Sequence, residues 1–494
     1  MIEVLNGVPN PRVEEAVLFS FDDVSIPFTA GLRRHLIGSK QRGRNPVVVP
    51  PGPPGSPDDS RTRFYGTVIP VGDTLRMWYI AENNLDGPRE YRTCYAESQD
   101  GVHWERPDLG LIEFDGSTAN NLVDLLGGAR GIVALPMLYE PDDPDPNRRY
   151  KVAFECGQYA GQLSVAYSAD GFRWTESPNN PVGGYMEMTG IIRHNGCYYV
   201  NGHGGAHFSV ARNLVTYASY DFEHWTQASC LGFYRDRLPV QAMQDIASRG
   251  AAGEQVHLGA GLWDRGNVIL GVYDAWHGPP SGDRMQVTMD LGLVISHDAL
   301  HYREPIPEFR LVPALEEQAG SGTLKPEAGL PPLTLAPSLS HGQGMLNWGD
   351  ETMLWYEAWV DGGIRLARWE RDRLGYLRAF NPEEHGWGLR AVDDRHCITC
   401  PLRVSDGAGR VYANVDRVWE HSELIVEVLD EQFRPIPGYS GDACVPLREP
   451  GLRQPVVWKG RDTVSEIGGP FRLRVTFGGV RPEDARLHAL YIGE

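Results

Sequence analysis

Tyr95-Ala-Glu-Ser98-Gln-Asp100-Gly-Val-His-Trp104 is the stretch that decides the fold, because the chain repeats it. It returns as Ala166-Tyr-Ser168-Ala-Asp170-Gly-Phe-Arg-Trp174, Tyr217-Ala-Ser219-Tyr-Asp221-Phe-Glu-His-Trp225 and Val294-Ile-Ser296-His-Asp298-Ala-Leu-His-Tyr302. A worn copy, Asp372-Arg-Leu-Gly-Tyr376, keeps the Asp and the aromatic residue four positions on. Successive Asp residues are 70, 51, 77 and 74 positions apart, the scale of a supersecondary module that cannot bury its faces alone. Ser-x-Asp-Gly is turn chemistry: the carboxylate bonds backbone amides two residues on, and Gly accepts positive φ. The four well-kept Asp residues are therefore expected to anchor turns.

Working outward, a strand precedes each phrase: Arg76–Tyr79, Tyr150–Phe154, Cys197–Val200, Val268–Tyr273 and Met353–Tyr356. A further candidate lies upstream of each, at Tyr65–Ile69, Gly131–Leu135, Thr189–Ile192, Val256–Ala260 and Gly344–Asn347. Turn pairs such as Gly72-Asp73, Asn195-Gly196 and Gly349-Asp350 join the two sets as hairpins. Inner strand, hairpin, second strand, Ser-x-Asp turn and outer strand make a propeller blade, and five such units predict an all-β, five-bladed β-propeller over residues 1–380. Only Leu238–Ser248 has the pattern of a short helix.

After about residue 385 the phrase disappears. Short strands at Ile398–Val404, Arg410–Val415, Ser422–Leu429, Gln454–Trp458 and Phe471–Thr476 predict a C-terminal β-sandwich over 386–494. An exposed sandwich edge could pair with a second chain, so a homo-oligomer is kept open.

Composition narrows the function. The 494 residues carry 46 basic and 65 acidic side chains, a formal charge of −19, which argues against nucleic acid or anionic membrane as partner. No stretch approaches the length of a membrane helix, and the start lacks a charged leader before an apolar run, so a cytoplasmic protein is expected. Of seven cysteines only Cys397-Ile-Thr-Cys400 has metal or redox spacing, and its strand-like flanks favour a structural reading.

The five-unit count, the Ser-x-Asp-Gly-x-x-Trp phrase and the trailing sandwich resemble the five-bladed propeller glycoside hydrolases, family 32 first and family 43 more loosely. The resemblance implies a carbohydrate substrate and carboxylates projecting into a central funnel. The Asn-Asp-Pro and Arg-Asp-Pro motifs of family 32 are absent. Its Glu-Cys dipeptide occurs as Glu155-Cys156, but on the second strand of the second unit, so it is read here as coincidental.

The polar residues at the starts of inner strands and ends of second strands are the funnel candidates. Glycosidic cleavage needs one protonated and one ionised carboxyl group. Glu187 holds the third-unit slot of the general acid in the enzymes the chain resembles, so the resemblance implies it as proton donor, with Glu254 or Asp274 expected as its catalytic partner. Asp23, Arg63, Tyr65, Arg130, His257, Trp276, His277, His341 and Glu357 are expected to bind substrate. A convergence of His257, His277 and His341 could instead hold a divalent metal. Two alternatives to a hydrolase thus stay open: a non-catalytic carbohydrate-binding propeller, and a metal-assisted sugar lyase or isomerase.

Overall fold

The computed structural model describes residues 2–4, 12–39, 45–83, 91–128, 131–204, 212–235, 254–278, 284–315, 320–324, 333–382, 394–405, 407 and 409–494. Arg130 and the helix expected at Leu238–Ser248 lie outside them.

The fold is all-β. Alternating apolar residues and glycine-bearing turns build five antiparallel hairpin units in chain order. The first contains Arg61–Val71, Thr74–Glu82 and Arg92–Ser98. The second contains Met137–Tyr139, Tyr150–Phe154, Ser164–Ser168 and Thr175–Glu176. The third runs Met186–His194, Cys197–Gly204, Leu214–Ser219 and Thr226–Gln227. The fourth runs Gln255–Asp264, Ile269–His277, Thr288–Ser296 and Arg310–Val312. The fifth contains Leu339–Trp348, Glu351–Ala358 and Ile364–Glu370, and its outer strand is Val47–Val49 from before the first unit.

The first strand of each unit contacts that of the next, and the fifth returns to the first through a parallel pairing of Gln343 with Thr67. Glycines permit the approach. A Cβ on Gly190 would lie 2.1 Å from Ala260 O, one on Gly261 2.2 Å from Gly342 O, and one on Gly342 2.4 Å from Gly66 O. Thr67 Oγ1 donates to Leu135 O (2.7 Å) between units one and two. Gln343 accepts from Ile191 N–H (2.6 Å) and donates to Met137 O (3.0 Å), reaching units two and three from unit five. Val68, Met137, Ile191, Leu262 and Met345, one from each inner strand, line a single cavity of about 450 Å³.

The repeated Asp residues are turn anchors. Asp100 Oδ1 accepts from the amides of Val102 and His103, both at 2.8 Å, while Ser98 Oγ accepts from Gly101 N–H at 2.9 Å. The same pattern recurs at Asp170, Asp221 and Asp298. Asp372 differs: it is buried, ion-paired with Arg265, and accepts from Asn347 and Tyr491.

In the second unit the inner strand lies at Met137–Tyr139, not at the expected Gly131–Leu135. That stretch contributes one bridge, Ile132 to Cys156, and loop hydrogen bonds.

The C-terminal residues form two antiparallel sheets. Ser422–Asp430, Phe471–Gly479, His396–Ile398 and Leu402–Val404 belong to one; Arg410–Asp416, Gly451–Val456 and Arg486–Gly493 belong to the other. Both sheets contribute to one core that includes Val411, Leu424, Val426, Trp458, Phe471, Leu473 and Ile492. Pairing crosses the division expected near residue 380. Ile2–Val4 and Phe28–Ala30 join the first sheet, while Ala16–Phe19, Leu32–Leu36 and Gly375–Ala379 join the second. Cys397 and Cys400 are free and buried in that core, where burial pushes both thiols up to about 12, so neither is poised for redox or metal chemistry.

No helix of the described residues is long and apolar enough to cross a membrane.

Candidate active site

Antiparallel alternation fixes where the polar residues gather. Each inner strand starts at one end of its unit, and each second strand returns to it. Arg61 therefore pairs with Glu82, Glu187 with His203, His257 with Asp274, and Ser340 with Glu357. The Ser-x-Asp turns, one strand later, fall at the opposite end. Just past the polar positions the register shifts in four units, between Arg63 and Thr67, Met188 and Gly190, His257 and Ala260, and His341 and Met345. Such bulges re-aim side chains and are common beside functional sites.

Units one and five supply a charged floor. Arg63 lies 3.3 Å from Glu357 and 3.7 Å from Glu82, and donates to Tyr91 Oη at 2.7 Å. Arg61 pairs with Glu82 at 3.2 Å and also donates to Trp359 O. The Arg63 guanidinium sits against Tyr65, 4.4 Å from the ring centroid, with Tyr91 and Trp359 at 5.2 and 5.7 Å. Burial raises the Glu357 carboxyl, and Arg63 and Arg61 only partly offset it. Planar cations among rings and carboxylates make this a rigid wall.

Asp274, from unit four, is fully buried and holds two histidines. His257 Nδ1 lies 2.9 Å from Oδ2, His341 Nδ1 2.5 Å from Oδ1, and Ser340 Oγ donates to Oδ2 at 2.8 Å. Gly261 N–H donates to His341 Nε2 at 2.9 Å, so that nitrogen is an acceptor and Nδ1 carries the proton. Burial pushes Asp274 up, but His341 and His257 outweigh it and keep the carboxyl below its usual value. Asp274, expected as a catalytic partner of Glu187, thus has both oxygens engaged, by His257 and Ser340 on one side and His341 on the other. His257 is held by Nδ1 and its ring faces His203, Trp276 and Trp359, at 6.4, 5.8 and 5.3 Å between centroids.

The carboxyl pair is Glu155 and Glu187. Glu155 follows the second strand of unit two, and its backbone O accepts from Val133 N–H. Gly161, at φ +72°, donates from its N–H to Cys156 O and accepts from Met186 N–H, both at 3.1 Å, which brings the Glu155 turn beside Glu187. A Cβ on Gly161 would lie 3.3 Å from Glu155 Oε1 and 2.8 Å from the Tyr185 ring. Glu155 Oε2 is buried without a hydrogen-bond partner. Burial first, then the neighbouring Glu187 charge, pushes Glu155 up to about 9. Glu187 Oε2 lies 3.2 Å from His203 Nδ1 and 3.6 Å from Arg212 Nη1. Burial raises Glu187 too, but His203, Arg212, His257 and Arg63 outweigh it and hold the carboxyl low. Arg212 and Arg63 are the permanent cations of that set, since burial and Arg212 push His203 down to about 3. Two adjacent carboxyls with opposed shifts are the arrangement that divides acid from base. Glu187, expected as proton donor, and Glu155, read as coincidental in the sequence, are thus neighbours whose carboxyls are shifted in opposite directions.

Of the expected binding residues, Arg63 and His257 act on the Glu187 carboxylate, Trp276 packs on His257, His341 shares Asp274 with His257, and Tyr65 and Glu357 contact Arg63. His277 and Glu254 form a separate cluster beside it. Arg235 donates to Glu254 at 2.6 Å and Glu308 at 2.7 Å, and His277 Nδ1 lies 3.1 Å from Glu254, with its Nε2 3.0 Å from Asp290. Glu254, His277 and Glu308 have ligand atoms within 4.8 Å of one another, but the Arg235 guanidinium already supplies their cation. The expected meeting of His257, His277 and His341 does not occur, and both nitrogens of His341 are engaged; these residues do not fit a shared metal. Asp23 is also misplaced: it pairs with Arg303 just beyond the Asp298 turn, at the opposite end. Arg212 is not among the candidates, because it precedes a third strand and the candidates come from inner-strand starts and second-strand ends; His203 lies at such a second-strand end.

No protein-family model matches the chain, and no curated protein matches it. Among solved structures, it is similar to a candidate glycosidase from Bacteroides thetaiotaomicron, with 14% identity, TM-score 0.45 and coverage of 67% of this chain and 96% of that one. It is also similar to a glycosyl hydrolase from Bacteroides ovatus, with 16% identity, TM-score 0.43 and coverage of 69% and 95%. A third is an α-L-arabinofuranosidase from Podospora anserina in complex with cellotriose, with 11% identity, TM-score 0.41 and coverage of 66% and 96%. At these values the likenesses carry no argument about the site.

Proposed function

We propose that the five units are blades of a β-propeller, that the two C-terminal sheets form a sandwich packed against it, and that the protein is a carbohydrate-active enzyme cleaving a glycosyl bond at the polar end of the inner strands. The propeller reading is supported by the cyclic contacts of the inner strands and the glycine approaches between them. The sandwich reading is supported by the core common to both C-terminal sheets.

The chemistry rests on one observation: the Gly161 turn ties Glu155 to the strand of Glu187, and Glu155 Oε2 is buried without a hydrogen-bond partner while Glu187 lies against His203 and Arg212, which favours a proton on Glu155 and a charge on Glu187. Glu155 protonates the leaving-group oxygen, and ionised Glu187 acts on the other side of the bond as base or nucleophile. Asp274 fixes the proton on His257 Nδ1, leaving Nε2 to accept from a sugar hydroxyl. Trp276, Trp359 and Tyr185 supply apolar faces for a sugar ring.

The test is turnover of gluco-, galacto-, manno-, arabino- and xylo-configured aryl glycosides, in α and β forms, with and without inorganic phosphate. Glu155→Gln is expected to lower kcat by about 10²- to 10⁴-fold, least for the most acidic leaving groups. Turnover that survives both Glu155→Gln and Glu187→Gln would remove this pair from the reaction.

A further inference from the structure

Arg212 helps to hold Glu187 ionised, and its placement suits it to a second contact. Its backbone is anchored twice to the start of the fourth unit: its N–H donates to Gln255 Oε1 at 3.2 Å, and its O accepts from Val256 N–H at 3.0 Å. Its guanidinium lies 5.7 Å from the Trp276 ring centroid. Nη1 is buried with no hydrogen-bond partner, and at 3.6 Å from Glu187 Oε2 it is beyond hydrogen-bond reach of that carboxylate.

Another unpartnered buried atom edges the same space. Trp359 Nε1 has no partner, and that ring sits against both His257 and Arg63. Arginine and tryptophan side chains donate and cannot accept. Leaving such donors unsatisfied is costly, so the site is shaped for a ligand rich in acceptors. A sugar hydroxyl returns a proton for each it accepts; a carboxylate only accepts, and its two oxygens match the planar fork of a guanidinium.

We infer that Arg212 is a specificity-determining residue which recognises the carboxylate of an acidic sugar, so that the substrate class is uronic-acid glycosides. The inference rests on the glycosyl-bond reading above.

The experiment compares matched pairs of 4-nitrophenyl glycosides: glucuronide against glucoside and galacturonide against galactoside, each as α and β anomers. The expected result is a kcat/KM for one acidic member about 100-fold above its neutral partner, and a ratio that falls to about 1–10 in Arg212→Gln and stays intermediate in Arg212→Lys. If Arg212 only tunes Glu187, both members fall together and the ratio is unchanged; that result overturns the inference, as does equal or greater activity on the neutral member. A second arm titrates glucuronate, galacturonate, glucose and galactose into wild type and Arg212→Gln by calorimetry, with thermal midpoints to verify folding. Uronates that bind and weaken at least 10-fold in the variant, without turnover of any glycoside, would uphold the inference while removing the catalytic reading. Uronates that bind no better than neutral sugars would overturn it whatever the turnover.

Discussion

Replacing Glu155 by Gln should make the protein more stable near neutral pH while disabling it. Free in an unfolded chain, the carboxyl ionises near 4.5; in the folded protein, burial and Glu187 push it up to about 9. Between those values the folded state retains a proton that the unfolded state has released. Stability from this group is therefore complete below about 4.5 and is lost as pH rises toward 9. The slope is about 1.4 kcal/mol per pH unit, so at about pH 7 the cost approaches ~3 kcal/mol, less whatever Glu187 absorbs by shifting in turn. Glutamine is neutral at every pH and nearly the same shape, so Glu155→Gln should recover about 2–3 kcal/mol near pH 7 and almost nothing near pH 4. Denaturant titrations of both proteins between pH 4 and 8 read this directly, since other groups cancel in the difference. A difference that stays flat across that range would refute the reasoning, because it would mean that Glu155 ionises normally in the fold.

Other outcomes follow from the same geometry. Asp274→Ala strands two histidine N–H groups and Ser340 in a buried site, and should cost about 3–5 kcal/mol in chemical denaturation; Asp274→Asn should cost less but rotate His257 or His341. Gly342→Ala drives a methyl to 2.4 Å from Gly66 O where the inner strands meet, and should cost about 3 kcal/mol or more or abolish soluble expression. Asp170→Ala removes the oxygen that accepts from two amides of one turn and should cost about 1 kcal/mol with turnover intact. Incubation with a chelator should leave the thermal midpoint unchanged, since Arg235 already serves as the cation of the Glu254–His277–Glu308 cluster; a fall of several degrees would place a metal there.

Much of the repeat was legible because turn chemistry is local. Ser98 and Asp100 bond amides within three residues, and the spacing of such phrases sets the strands on either side. From that register Glu187, His257, Asp274, His341 and Glu357 could be assigned to one end. Pairings between distant residues were not legible: Phe28 with Ile398 and Ala16 with Ile492 join short strands that carry no mark of their partners. Protonation was the other gap. Glu155 and Glu187 are the same residue type and burial raises both; what separates them is the set of cationic side chains, His203, Arg212, His257 and Arg63, that bears on Glu187. The Glu155-Cys156 dipeptide was the available signal, set aside because it falls on the second strand of the second unit and not in the third, although Glu82, His203, Asp274 and Glu357 also lie at second-strand ends.

The most direct measurement is a carbon-detected NMR titration of protein labelled at the glutamate carboxyls, with Glu155→Gln and Glu187→Gln spectra for assignment. The resonance absent from Glu155→Gln is expected to remain that of a protonated carboxyl at about pH 7 and to titrate near 9, while that of Glu187 titrates below the usual glutamate range. Normal titration of Glu155 near 4.5, or a proton resident on Glu187 instead, would contradict it.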